Sequence, residues 1–183
     1  MLILLVQMLK DKVQRMKLKI NYISQIESMK HLIVLSVAYL AFLFYVIGLS
    51  DIETIVYLMF PYIIIFILPV LVIHVNYFIN SNSRIWYSIE VDSIVAIYGQ
   101  EKTIYDNTEI ESIFIFATPN RLKDSATSSF PFEDYHYVNI KCKSGQIIIL
   151  TSLHSYNLDK HIQKHFEAAI IRKIPRLFPL IAK

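Results

Sequence analysis

From His31 to Ser50 the chain carries no Asp, Glu, Lys or Arg, a run of 20 residues. A second such run extends from Thr54 to Ser83. At about 1.5 Å of rise per residue, 20 helical residues cross roughly the 30 Å hydrocarbon core of a bilayer. The first run holds 12 Leu, Ile, Val or Phe residues between Leu32 and Leu49. Each favours insertion by about 0.3–0.6 kcal/mol near a helix centre. Neither run has the polar stripe that a helix of a soluble core shows. The expectation is a transmembrane pair within residues 31–79.

Only Ser50-Asp51-Ile52-Glu53 separates the spans, which predicts a tight antiparallel helical hairpin. Both termini then face one side. Residues 1–30 form a basic segment with Lys10, Lys12, Arg15, Lys17, Lys19 and Lys30 against Asp11 and Glu27. The connection carries Asp51 and Glu53. By the positive-inside rule both termini are cytoplasmic and the protein is multi-pass. Trp86 and Tyr87 follow the second span where aromatic belts form, and Lys17, Lys19 and Lys30 complete the expected membrane-interface set by attracting anionic lipid. Pro61 and Pro69 predict a kink, since each lacks the donor for the carbonyl four residues back. His74 reads as a neutral imidazole beside Asn76 rather than part of an ion path.

Composition excludes several classes. Charged residues are 18% and apolar residues 55%, which argues against an ordinary soluble enzyme. Gly48, Gly99 and Gly145 stand far apart, so neither a GxGxxG loop nor a P-loop is present. Lone Cys142 rules out an internal disulfide and a four-cysteine zinc site. A net charge of +3 gives no reason to expect nucleic acid. Met1 to Leu9 lacks the basic start and small-residue cleavage site of a signal peptide, and Met8 and Met16 offer alternative starts.

Beyond the hairpin the pattern changes. Lys17 to Tyr22 alternates polar and apolar as a short strand, and so do Ile85 to Asp92. Further strands are expected at Ser93–Tyr98, Lys102–Tyr105, Ile110–Ala117, His136–Lys143 and Gln146–Ser152, with turns at Gly99-Gln100 and Ser144-Gly145. Short spacings imply antiparallel neighbours. Leu158, Ile162, Phe166 and Ala169 share one helical face, Asn157 caps the start and Pro175 closes the helix. Thr118 to Asp134 is a 17-residue connection, long enough to expect a function. Its charges Arg121 and Lys123 and its aromatics Phe130 and Phe132 are the candidate partner-binding residues.

No catalytic set emerges. His161 and His165 are four apart, yet no Glu follows His161 and Lys160 and Lys164 flank them, so no metal site is expected. Asp134 with His136, and Ser152 with His154, lack a nucleophile and an oxyanion site to serve. Carboxylates standing singly along the strands read as a solvated face. The expectation is a non-enzyme with no cofactor.

Tyr87-Ser-Ile-Glu-Val-Asp-Ser-Ile-Val-Ala-Ile-Tyr, followed by Lys102-Thr-Ile-Tyr-Asp-Asn-Thr-Glu-Ile-Glu-Ser-Ile, resembles the bacterial PH-like domain proteins, in particular the YcxB-like membrane family. Ile110 and Ile113 match its I-x-x-I stretch. The resemblance covers most of residues 85–170, and the basic strand and hairpin before it match the family's layout. It implies a PH-like bent sheet or small barrel capped by the C-terminal helix, joined by the segment before the first span. The turn Tyr98-Gly-Gln-Glu-Lys102 holds one lysine, where lipid-binding PH domains cluster several, so the resemblance does not imply phosphoinositide binding.

The expected fold is therefore an α+β membrane protein. It has a transmembrane hairpin, a cytoplasmic PH-like antiparallel domain over residues 84–174 with a C-terminal helix, and a tail over 175–183. The expected function is a membrane-anchored, non-catalytic interaction module at the inner face of a bacterial cytoplasmic membrane. Its partners would be membrane lipids and a protein. The alternatives are a toxin-immunity membrane protein and an accessory subunit of a membrane complex.

Overall fold

The computed structural model describes residues 16–48, 51–90, 93–123, 130–167 and 170–182. Lys10, Lys12, Arg15 and Ala169 lie outside them.

Alternating side chains build two sheets. Strands β1 (Met16–Leu18), β2 (Trp86–Ile89), β3 (Ser93–Tyr98) and β4 (Glu101–Asp106) follow one another antiparallel in the first. The second contains β5 (Ile110–Ala117), β6 (Tyr137–Cys142), β7 (Ile147–Thr151) and β8 (Ile171–Pro175), in the order β7-β6-β5-β8. Glycine permits the turn into β7: Gly145 has φ 85°, a region L side chains rarely enter.

The inward-facing set of each sheet meets the other. Leu18, Ile89 and Ile94 from the first sheet pack with Ile113, Ile115, Val138, Ile140 and Leu150 from the second, all fully buried. Each such side chain stabilises the fold by roughly 1.5–3 kcal/mol. A short helix, Leu158–His165, adds Leu158 and Ile162 to this core, followed by Phe166.

That helix is shorter than its apolar spacing suggests. Phe166 is already extended, with φ −121° and ψ 150°. Ile171 to Pro175 then runs parallel to β5, pairing Ile113 with Ile171 and Phe116 with Ile174. Arg172 and Lys173 are thus strand residues and not a last helical turn. The β-branched isoleucines favour extended backbone, and β8 pairs the edge of β5 that would otherwise stand unbonded.

Between β1 and β2 the chain leaves the sheet as two helices, α1 (Tyr22–Ile47) and α2 (Ile52–Asn80). Helix α1 starts before the uncharged run because Asn21 caps it. Asn21 Oδ1 accepts from the Ser24 amide at 2.8 Å, and Ser24 Oγ accepts from the Asn21 amide at 3.0 Å. Asp51 caps α2 through Thr54. Pro61 and Pro69 flank a π-helical stretch, Ile63–Ile67, which is how α2 absorbs two missing donors. Both helices are long and apolar enough to cross a membrane. Within the pair, Ser36 Oγ lies 2.9 Å from Tyr62 Oη, Tyr39 Oη donates to the Leu58 carbonyl, and the Tyr39 and Tyr62 rings stack at 4.5 Å.

Candidate functional site

The second sheet has an outer face as well as an inner one. Its outward residues Phe116, Tyr137 and Ile149 meet Val70, Ile73 and Tyr77 of α2 and Leu32 of α1 in a second core. Phe116 stacks on its cross-strand partner Tyr137 at 4.5 Å, and the Tyr77 ring meets Tyr137 and Tyr135 edge-on. Hydrogen bonds fix this seam. Ser28 Oγ donates to the Ser152 carbonyl at 2.9 Å, and Tyr77 Oη to the Pro179 carbonyl at 2.8 Å. Asn76 bonds both the amide and the carbonyl of Ile181. His74 Nδ1 lies 2.9 Å from Tyr135 Oη, so the one ionisable side chain noted in the second run serves docking.

The 118–134 connection completes the seam. It forms a short helix, Pro119–Leu122, and a 3-10 turn, Pro131–Asp134. Arg121 does not project as a charge for a partner. Its Nε and Nη2 hold the Asp159 carboxylate at 3.0 and 2.9 Å, and Nη2 also donates to the Tyr156 carbonyl at 2.6 Å. Phe132 is buried, Phe130 is partly exposed and Lys123 is exposed. The aromatics form a ladder. Tyr62 stacks on Phe66 at 5.1 Å, Phe66 on Phe130 at 5.8 Å, Phe130 on Phe132 at 5.3 Å, and Phe132 meets Phe178 at 5.0 Å.

A buried polar cluster sits beneath that loop. Asp134 accepts from Tyr156 Oη at 2.9 Å and pairs with His31 of α1. The Lys30 ammonium lies over the Tyr156 ring. His136 Nδ1 donates to the Asp134 carbonyl at 3.0 Å, which leaves Nε2 facing Asp159 Oδ1 at 3.5 Å. Burial pushes His136 down to about 4, so it is neutral at pH 7. Burial would raise the Asp159 carboxyl, but His136 beside it and the Arg121 fork hold it below the usual carboxylate range. The Arg121 guanidinium loses solvation, yet Asp159 keeps its pKa above the ordinary value.

In the two pairs that stand close in sequence, each histidine bonds a backbone group through Nδ1. His136 Nδ1 bonds the Asp134 backbone carbonyl. His154 Nδ1 accepts from the Thr151 amide at 3.1 Å, and its ring sits edge-on to Tyr87. Burial pushes His154 to about 4 as well. His165 Nδ1 bonds the His161 carbonyl at 2.8 Å. Among the described residues no group of three or more His, Cys, Asp or Glu is placed to hold a metal ion.

The first sheet carries a different feature. Its outward residues line a cleft of about 560 Å³. The register explains the grouping. Lys17 pairs Ser88 and Ser88 pairs Val95, while Trp86 pairs Ile97 and Ile97 pairs Lys102. Glu90 completes the rim, and Gly99, with φ 60°, makes the turn at its end. Lys19 Nζ lies 4.1 Å above the Trp86 ring. Trp86 and Lys17, read as membrane-interface residues, therefore line the cleft. Tyr87, read the same way, also borders the cleft, while its side chain turns into the core and is 6% exposed, because strand alternation turns it away from Trp86. Sequence reasoning missed the cleft, since it arises from cross-strand register between segments separated by the hairpin.

A family model described as PH domain matches residues 17–159. The match begins in β1 and runs through the hairpin, the rest of the first sheet, β5 to β7 of the second and the start of the last helix. No curated protein and no solved structure matches the chain.

Proposed function

The chain belongs to the PH domain family, and on that premise we propose that it is a membrane-anchored, non-catalytic interaction module. PH domains are usually non-catalytic and commonly bind lipids or proteins. One observation carries the reading: the two outer faces of the sandwich have different work. The second sheet's outer face holds the two apolar helices, while the first sheet's presents the cleft of Trp86, Ser88, Glu90, Lys17 and Lys102. In this reading the helices insert as a hairpin with both termini on the cytoplasmic side of a bacterial membrane. The basic residues before α1 and the acidic Asp51 and Glu53 between the helices support that orientation. The layout of basic strand, hairpin and sheets supports placement with the YcxB-like proteins.

The cleft takes a protein segment. Two lysines with an aromatic ring between polar groups suit an acidic chain with an apolar anchor. Anchoring concentrates the module beside membrane-bound partners without any new contact. Arg121 and Phe132 hold the fold, so the partner surface moves from the 118–134 connection to this cleft. The test is photo-crosslinking in cells with the reactive group at Lys102, against the same group at Phe130. A dominant protein adduct at Lys102 that disappears in Lys17→Glu is expected. Lipid adducts alone at Lys102 would overturn the protein-binding reading.

A further inference from the structure

Helix length sets a constraint that the hairpin alone does not meet. The domain meets α1 at Leu32 and His31, through the second core and Asp134, and meets α2 at Phe66, through the Phe130 ring. From Ile47 back to His31 is about 24 Å of helix, and from Ile52 to Phe66 about 21 Å. Both fall short of a hydrocarbon core of roughly 30 Å. Asp51, an exposed cap at the start of α2, marks where the far interface lies. The near interface then falls about 6–9 Å past the first domain contacts.

The domain surface at that level is apolar. Phe130 is 38% exposed, Phe178 44%, Leu180 40% and Leu177 65%. Phe130 and Phe178 continue, through Phe132, the ring ladder that begins in the helices. Arg176 precedes Leu177 and is exposed, placed to meet lipid phosphate. Exposed Leu68, Leu71 and Val72 on α2 continue the apolar surface through the same zone.

We propose that the domain is partly sunk into the bilayer, with a collar in which Phe130 and Phe178 enter the acyl region and Leu177 and Leu180 lie at its boundary. The proposal rests on the membrane reading above. Its depth agrees with the roughly 5–10 Å to which interfacial apolar faces are buried. The occupant of this surface is lipid, since the collar is continuous with the surface that the spans present to acyl chains.

Trp86 is the sole tryptophan, so a Trp86→Phe background is silent in indole fluorescence. In the full chain, reconstituted in phosphatidylcholine vesicles, single tryptophans are placed by Phe178→Trp, Phe130→Trp, Phe42→Trp in the span and Tyr98→Trp at the β3–β4 turn. Quenching is read with lipids brominated high on the acyl chain. The expected result is strong quenching at positions 178, 130 and 42 and little at 98. Quenching at 42 but not at 178 or 130 would overturn the collar and leave the membrane reading standing. No quenching at 42 would overturn the membrane reading and the collar with it. Quenching at 98 equal to that at 178 would overturn the collar as a defined surface.

Discussion

His31 of the first helix and Asp134 of the long connection face each other across 103 positions of sequence. The pair ties the helical hairpin to the domain at a point where Asp134 is 1% exposed and His31 is half exposed. The carboxylate therefore has the larger desolvation cost to recover.

Asp134→Ala should loosen the seam more than His31→Ala. It strands the part-buried Tyr156 hydroxyl, at no more than about 1–3 kcal/mol, while the half-exposed His31 ring turns to water. Amide hydrogen exchange over residues 22–31 should rise in both variants, and more in Asp134→Ala. Equal protection in the wild type and Asp134→Ala would show that the apolar seam suffices.

Arg121 makes a two-pronged bond that lysine cannot copy. Arg121→Lys should cost about 1–3 kcal/mol. Arg121→Ala should cost about 3–5 kcal/mol, because Asp159 is left charged and buried. A double variant, Arg121→Met with Asp159→Leu, should recover most of that loss in thermal unfolding. A double variant less stable than Arg121→Ala would contradict this account.

Acid should weaken the protein in two stages. His136 and His154 fall from an ordinary value near 6.5 to about 4, so the unfolded chain binds protons that the folded one refuses. Stability is full above pH 6.5 and falls as pH drops towards 4, by at most about 3 kcal/mol for each histidine. Asp159, held below its ordinary 3.8, adds a further loss as pH falls through its folded value. Tm measured from pH 7.5 to 4.5 should decline, and His154→Gln should flatten the slope. A Tm that rose on acidification would reverse the assignment.

Within the hairpin, Tyr62→Phe removes the bond to Ser36 and keeps the stacked ring. On the proposed membrane reading such a bond is worth about 0.6 kcal/mol on average and reaches about 1.7. Tyr62→Ala removes the ring contacts to Tyr39 and Phe66 as well and should cost several-fold more. A thermal-unfolding double-mutant cycle with Ser36→Ala isolates the hydrogen bond.

Local pattern revealed the elements whose reasons are local. Ile110 to Ala117 is apolar and largely alternating, and β5 has those bounds: Ile113 and Ile115 enter one core, Phe116 packs in the other, and a register shift brings Ile110 to the first. The pair of apolar helices followed from two uncharged runs. The last strand did not, because Ile171 to Pro175 gains its pairing from β5, far upstream, while the spacing of Leu158, Ile162 and Phe166 pointed to more helix. The polar cluster was hidden for a related reason. Asp134, His136 and Asp159 stand singly in sequence, as solvated residues do, and only the folded connection brings Arg121 and Tyr156 to them. The cleft joins Lys17 to Ser88 across the whole hairpin, a register that no window of sequence contains.

That same register has a mechanical meaning. β1 runs into α1 at Leu18 and β2 emerges after α2 at Trp86, and Leu18 pairs with Tyr87 at this end. The two helices are thus the oversized loop of a β-hairpin. A force that spreads their near ends pulls the β1–β2 ladder open from its first rung. Hydrogen bonds loaded that way break in succession, whereas bonds loaded along the strands share the strain. The weakest direction of the first sheet points at the two helices.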